Sequence, residues 1–225
     1  MHSAAAALAV ASALIAATAA PAASAAPAQS VPSQPVPAPS VAAQSEPAGQ
    51  TAAKARPAFL EPGDLPPYLS SPWTAEPVTA GVPDPLPFCV GEALPASIAR
   101  HRVFRTDLDA GATQTTVVER DPARARALAA LWTRAVRDCP GRTEQQNPDI
   151  TAEGRDYGRV AVGDGAQVYG VHVAHSAGSS NIHLFAVGRD GRTVTVVTWG
   201  ALGGFEDAPV TGFRRTARTA VGKLA

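Results

Sequence analysis

The stretch IHLFAVGRDGRTVTVVTW, residues 182–199, decides the fold. Two runs rich in β-branched and aromatic residues, Ile182 to Val187 and Thr193 to Trp199, lie on either side of Arg189-Asp190-Gly191-Arg192. An Asp-Gly pair between two such runs is the strongest short-range signal for a β-hairpin. The stretch therefore predicts two antiparallel strands joined by a tight turn.

The residues of this hairpin also predict its register and its place in a sheet. A two-residue turn at Asp190-Gly191 places Phe185 opposite Val196 and His183 opposite Thr198. Both strands carry apolar residues at odd and at even positions, so both of their faces need cover. We expect the hairpin to be central in its sheet rather than at an edge.

The segments on either side of the hairpin supply further strands. Alternating or β-branched patterns predict strands over Arg102 to Asp107, Thr113 to Glu119 and Gln167 to His175. Residues 154–165 are rich in glycine and predict a loop with a short strand at Arg159 to Val162. The proline-rich segment from Phe59 to Phe88 predicts irregular structure.

Two helices complete the pattern. Asp121 is a good N-cap and Pro122 suits the first helical position, which predicts a helix that ends near Cys139 at Pro140-Gly141. A second apolar stripe predicts a helix over residues 209–224, capped by Asp207. Hairpin connections dominate, so the predicted fold class is α+β: an antiparallel sheet of about five to six strands with two helices packed on one face.

Cys89 and Cys139 are the only cysteines of the chain. In an exported protein they allow a single intramolecular disulfide, which we expect to pin the irregular segment to the end of the first helix.

The first residues predict export. Ala4 to Ala20 is apolar and uncharged, and Ala23-Ser24-Ala25 is a small-residue cleavage pattern, which together indicate a signal peptide over residues 1–25. An uncleaved anchor is the alternative. Residues 26–57 are rich in Ala, Pro, Ser and Gln and predict a disordered linker. Residues 58–225 then form one α+β domain, secreted, or associated with the cell envelope if the signal stays in place.

The charge balance argues against two classes of partner. The chain has 19 Lys and Arg and 19 Asp and Glu, a formal net charge of +0. A general nucleic-acid binder needs a basic surplus, and so does a protein that docks on anionic membrane. We expect no nucleic acid, no membrane span after cleavage, no cofactor and no metal, and a monomer.

Five residues are candidates for a ligand pocket of mixed polarity: Trp73, Tyr169, His172, His183 and Trp199. The competing interpretation is that the aromatic residues are ordinary core.

Other site types have weaker support. Ser176 stands in a sequence like a nucleophile elbow, but a strand rather than a helix follows it. This leaves a small secreted serine hydrolase as an alternative function. A third possibility is a protein-interaction or inhibitor module, for which residues 143–158 are the candidate exposed loop. No catalytic residue is assigned, and the protein is not expected to be an enzyme.

Several short motifs resemble those of a group of secreted actinobacterial proteins of unknown function. They are Leu86-Pro87-Phe88-Cys89, Phe104-Arg105-Thr106-Asp107, Arg137-Asp138-Cys139, and the segments around residues 188–194, 199–200 and 207–210. More distantly, the layout resembles the extracellular sensor domain of mycobacterial serine/threonine protein kinases. That resemblance implies an antiparallel sheet with helices on one side and a cleft for an unknown ligand. The expected function is thus a secreted, non-catalytic, sensor-like module that binds a small molecule or an envelope component.

Overall fold

The computed structural model describes residues 56–225. The predicted signal peptide and nearly all of the predicted linker lie outside the described residues. The elements in chain order are β1 (Thr74–Ala75), β2 (Thr79–Ala80), β3 (Ala99–Arg105), β4 (Gly111–Val118), α1 (Pro122–Arg137), α2 (Cys139–Gln146), β5 (Ile150–Val160), β6 (Ala166–His175), β7 (Ser180–Asp190), β8 (Thr193–Leu202) and α3 (Val210–Gly222).

The strands form one antiparallel sheet in the order β1-β3-β4-β8-β7-β6-β5, and β2 also pairs with β3. The antiparallel sheet is as predicted, although it has more strands than the five or six expected, and three helices instead of two. The hairpin of β7 and β8 is confirmed, and it lies in the middle of the sheet. Residues from Phe59 to Phe88 are irregular as expected, apart from a single 3-10 turn at Pro62–Asp64 and the short strands β1 and β2.

The predicted register of the hairpin is wrong by two residues. Asp190 pairs with Thr193, so the turn consists of Gly191 and Arg192, with Gly191 at a φ of +54°. Glycine is favoured at the first central position of a tight hairpin turn because it adopts positive φ without steric cost. The Asp164 carboxylate fixes this turn, since it accepts hydrogen bonds from the Gly191 amide at 2.8 Å and from Arg189 at 2.6 Å.

The helices cover both faces of the sheet, so the prediction of two helices on one face is wrong. We name the two faces the α1 face and the α3 face after the helix that covers each. Trp132 of α1 belongs to one core cluster together with Phe185, and Phe213 of α3 belongs to the other together with Leu184. Because neighbouring strand residues point to opposite faces, the apolar side chains of β7 and β8 require a helix on each side.

α1 starts as predicted and ends at Arg137, close to the predicted end near Cys139, but Pro140-Gly141 does not have the predicted role of stopping the helix. The Asp121 side chain accepts a hydrogen bond from the Arg124 amide at 2.9 Å, as an N-cap does. Pro140 does not stop helical structure, because it occupies the first turn of α2, where a missing N–H costs nothing. Asp207 does not cap α3; its carboxylate accepts from the Gly204 amide at 2.8 Å in the preceding turn.

The edge strand β5 replaces the loop predicted over residues 154–165. An exposed edge would offer free backbone groups to another chain, and three features limit this. Glu144 of α2 accepts from the Ala152 amide at 2.9 Å, and a bulge interrupts pairing between Asp156 and Arg159. Arg214 of α3 donates to the carbonyl of Tyr157 and, at 3.0 Å, to that of Arg159.

A buried polar side chain fixes the start of the described chain to the α3 face. Gln114 is fully buried, and its Oε1 accepts from the Leu60 amide at 2.7 Å. Its Nε2 donates to the Thr195 hydroxyl at 3.2 Å. Because a buried polar group is costly when unpaired, these bonds hold the irregular segment in one position.

A disulfide joins Cys89 to Cys139, as the sequence predicts. It connects the segment that precedes β3 to the first residue of α2. No helix within residues 56–225 has both the length and the apolar character needed to cross a bilayer.

The contacts of Arg214 generate the first prediction. Replacing Arg214 with leucine leaves half-buried carbonyl groups at the bulge without a donor, so we expect the free energy of unfolding to fall by about 2 kcal/mol. The exposed Arg218 on the same helix is the matched control, and Arg218→Leu should change stability by less than about 0.5 kcal/mol. Urea unfolding followed by circular dichroism measures both. Equal losses in the two variants would contradict the role assigned to Arg214.

Candidate functional site

A cavity of about 470 Å³ lies on the α1 face, where α1 does not reach. Its floor consists of residues at adjacent ends of β3, β4, β8 and β7, and its roof is the segment Pro83–Phe88. The cavity is thus built from strands at the centre of the sheet and from the irregular segment that precedes Cys89.

Small residues on β4 and β8 leave space above the sheet at the floor of the cavity. Gly111 pairs with Gly200, and Thr113 pairs with Thr198. Farther along the same two strands and on the same face, Val117 pairs with Val194 under α1. Two successive cross-strand pairs of small residues therefore leave a depression at the point where the helix cover ends.

Gly200 also makes room for the one histidine of the cavity. Gly200 pairs with His183 of β7, and a Cβ atom at position 200 would lie only 2.8 Å from Nδ1 of His183. Any other residue would push the imidazole away from the floor. The glycine therefore determines where the ring lies.

The roof is held down by covalent and polar bonds. Phe88 lies over His183 with ring centroids 4.7 Å apart, and the next residue is the disulfide-bonded Cys89. Arg142 of α2 donates to the Cys89 carbonyl at 3.2 Å. Gly91 lets the roof fold back, because a Cβ atom there would lie 2.6 Å from Cβ of Leu86.

His183 is a neutral polar group inside the cavity. Burial lowers the pKa of its imidazole from 6.5 to about 4, so the ring is uncharged at pH 7. No hydrogen bond joins its ring nitrogens to any of residues 56–225, and neither nitrogen is among the fully buried polar atoms that lack a partner. A neutral imidazole has one donor and one acceptor nitrogen with which it can bind a ligand.

The charged residues of the cavity lie at its mouth, and two of them already have partners. Arg105 Nε is 3.0 Å from a carboxylate oxygen of Glu76. Asp109 accepts from the Leu202 amide at 2.6 Å and from the Tyr68 hydroxyl at 2.8 Å, and these bonds lower the pKa of its carboxyl group. Asp84 is exposed to solvent. The charged groups therefore lie at the mouth, and the hydrogen-bonding groups of the interior, such as the imidazole of His183, are uncharged.

Of the five residues predicted from the sequence, His183 alone points its side chain into this cavity. The cavity also touches Trp199, but its indole is buried on the α3 face, 6.0 Å from the Tyr68 ring. Trp73 belongs to the same core, and its Nε1 donates to the Pro66 carbonyl at 2.7 Å. Both tryptophans therefore stabilise the fold.

The other two predicted residues lie apart from the cavity on β6. His172 is on the α3 face with its ring centroid 5.6 Å from that of Phe205. Tyr169 is half-buried on the α1 face beside α1, and burial raises the pKa of its hydroxyl. The five residues do not line one surface.

Most of the lining residues were not predicted from the sequence. Phe88, Thr113, Asn181 and Thr198 line the cavity together with His183. A correct hairpin register would have provided a signal, because it places His183 opposite a glycine and next to a threonine on the neighbouring strand.

The structure also places the residues of the two alternative functions. Ser176 lies in the exposed turn between β6 and β7, and its amide donates to the Asp149 carbonyl at 2.9 Å. No helix follows this serine, so the elbow geometry is not formed. Residues 143–158 are not an exposed loop, since they comprise the end of α2 and most of β5. Within the described part of the chain, no three His, Cys, Asp or Glu residues cluster in a way that would hold a metal ion.

Comparisons with known proteins found no matching family model, no matching curated protein and no matching solved structure.

The roof generates the second prediction. In the chain-entropy model, a disulfide across 50 residues raises the free energy of unfolding by about 4 kcal/mol. We expect Cys89→Ser/Cys139→Ser to lower the free energy of unfolding by about this amount, measured by urea unfolding, and to make Pro83–Phe88 accessible to limited proteolysis. Wild-type protein treated with reductant is the control, and it should have the same stability and the same cleavage pattern as the variant. Thiols that react with iodoacetamide in folded protein before reduction would contradict the bond.

The buried imidazole generates the third prediction. The unfolded state binds a proton at His183 near pH 6.5, whereas the folded state binds it only near pH 4. The contribution of His183 to the free energy of unfolding is therefore present in full above pH 6.5. It falls as the pH decreases from 6.5 to about 4, by about 3 kcal/mol in total. Arg105, Asp84 and Asp109 also line the cavity, but burial is the cause of the shift.

The measurement is urea unfolding at a series of pH values for wild type and for His183→Gln. The slope between pH 6.5 and 4 should become smaller in the variant, which has no titrating group at this position. An unchanged slope would show that other groups cause the pH dependence.

Proposed function

We propose that the folded domain is a non-catalytic, sensor-like binding module, and that it holds a small uncharged molecule of mixed polarity in the cavity beneath Pro83–Phe88. The ligand is a free small molecule or part of a cell-envelope component. The observation that carries the proposal is a cavity whose histidine, His183, is neutral and has no hydrogen-bond partner among the described residues.

The size and lining of the cavity support this function. Ligand sites in proteins commonly have volumes of about 300–1,000 Å³, with apolar walls and a few polar groups that fix orientation. Phe88 and Phe185 provide aromatic walls here, and the hydroxyls of Thr113 and Thr198 lie on the floor near His183. The volume of about 470 Å³ lies in the lower half of this range.

The charge distribution supports an uncharged ligand. Moving an ion out of water is costly unless a partner of opposite charge receives it. Arg105 is engaged with Glu76 and Asp109 with Tyr68, and His183 is neutral. A hydroxyl, amide or carbonyl group can instead exchange its bonds with water for bonds to the imidazole and the threonines at little cost.

The disulfide supports a site of action outside the cell. Stable disulfides persist in oxidising compartments and are rare in the cytosol. The bond joins the roof of the cavity to α2, so the integrity of the binding site depends on the oxidised state. This agrees with the predicted signal peptide and with secretion of a monomeric domain.

The fourth prediction tests the cavity itself. Thr198→Leu fills the floor, so it should weaken binding of the neutral probe 4-propylphenol by about tenfold or more. Thr151→Leu, on the exposed edge strand β5, is the matched control and should bind like wild type. Nuclear magnetic resonance titration measures the affinity and shows which amides shift.

The expected amide shifts are those of residues 111–113, 183 and 198–200. Absence of binding to wild type, or equal binding by the Thr198 variant, would contradict the proposal.

A further inference from the structure

The mouth of the cavity is bordered by exposed apolar side chains. Leu86, Phe88 and Leu202 line the cavity and are 50%, 36% and 58% exposed. We call these three residues the apolar rim. Single exposed leucines are common on protein surfaces, but a group around one cavity is not, and such a group marks an interaction site.

Neighbouring turns extend this surface. Leu108 and Leu69 are 49% and 78% exposed. Their turns are fixed to each other, since the Asp107 amide donates to the Ser71 hydroxyl at 2.9 Å and Tyr68 donates to Asp109 at 2.8 Å. The Asp109 carboxylate also accepts from the Leu202 amide, which brings this group next to the rim.

The cavity has hydrogen-bonding groups on its floor and apolar side chains at its mouth. His183, Thr113 and Thr198 lie on the sheet, whereas the apolar rim lies where the cavity opens to solvent. The charged groups at the mouth include Arg105 and Asp109, which are paired with Glu76 and Tyr68. A ligand whose polar end binds on the floor can therefore rest its apolar part on the rim.

We infer that the ligand is a neutral single-chain amphiphile, with an uncharged hydrogen-bonding head group in the cavity and an aliphatic chain on the apolar rim. This inference rests on the proposed function, because it names the ligand class of the same cavity. The rim lines the cavity, so a chain attached to a head group on the floor has an apolar path out over Leu86, Phe88 or Leu202.

If the aliphatic chain of the ligand lies on the apolar rim, the affinity should increase with the length of that chain. Full burial of a methylene group contributes about 0.8 kcal/mol, which corresponds to about a fourfold change in Kd. A chain that lies on an open rim keeps part of its surface in water. We therefore expect Kd to fall about twofold for each added methylene group.

The experiment is a titration of the full domain with 4-methyl-, 4-propyl-, 4-hexyl- and 4-octylphenol, below their aggregation concentrations. Wild type should show the chain-length dependence. Leu86→Ser/Leu202→Ser should lose most of the gain from longer chains, which is measured as the ratio of the Kd values for 4-methylphenol and 4-octylphenol within each protein. Leu131→Ser is the matched control, because Leu131 is 42% exposed on α1 and does not line the cavity.

The outcomes separate this inference from the proposed function. Binding of 4-methylphenol without a gain from longer chains overturns the amphiphile and leaves the binding module standing. No binding of any phenol overturns both. Tighter binding of octanoate or octyltrimethylammonium than of 4-octylphenol overturns the uncharged head group.

Two further measurements test whether the apolar rim is covered by a second copy of the chain or by a membrane surface instead of a ligand chain. Sedimentation of wild type as a dimer, with the double variant monomeric, would assign the rim to a second copy of the chain. Binding of ligand-free protein to neutral phosphatidylcholine vesicles, lost in the double variant, would assign it to a membrane surface. Either result overturns the inference.

Discussion

The central hairpin presents apolar side chains on both faces, and the rest of the structure depends on this constraint. Leu184 and Val197 point to the α3 face, while Phe185 and Val196 point to the α1 face. Neither face can remain in contact with water, because burial of apolar area is the main favourable term in folding. One helix packs on each side, and the sheet becomes the middle of three layers.

The cavity exists because α1 covers only part of the α1 face of the sheet. A helix of 16 residues is about 24 Å long, and α1 covers the part of the sheet with valine pairs. Where α1 ends, β4 and β8 carry glycine and threonine instead, and the irregular segment crosses above them. That segment has little regular hydrogen bonding of its own. The Cys89–Cys139 bond and Arg142 therefore replace secondary structure as the means of holding the roof.

The same geometry determines the chemistry of the site. The roof that encloses the cavity also buries His183, and burial keeps the imidazole neutral. In the function that we propose, the neutral imidazole and the threonines of the floor select ligands that hydrogen-bond without charge, and the apolar rim holds an attached chain. The fold and the proposed site share one segment, because the roof that contributes to the fold is also a wall of the cavity.

The sequence by itself determined the hairpin, the start of α1 at Asp121, the antiparallel sheet and the pairing of the two cysteines. These features depend on local periodicity, on capping chemistry and on there being only two cysteines. Only the tertiary structure decided the turn at Gly191, which the distant Asp164 fixes, the face that each helix covers, and the cavity around His183. Each of these depends on contacts between residues far apart in the chain. Local sequence patterns do not contain information about such contacts. The sequence therefore left Trp199 as a candidate ligand residue, and only the packing of the folded chain shows that it belongs to the core.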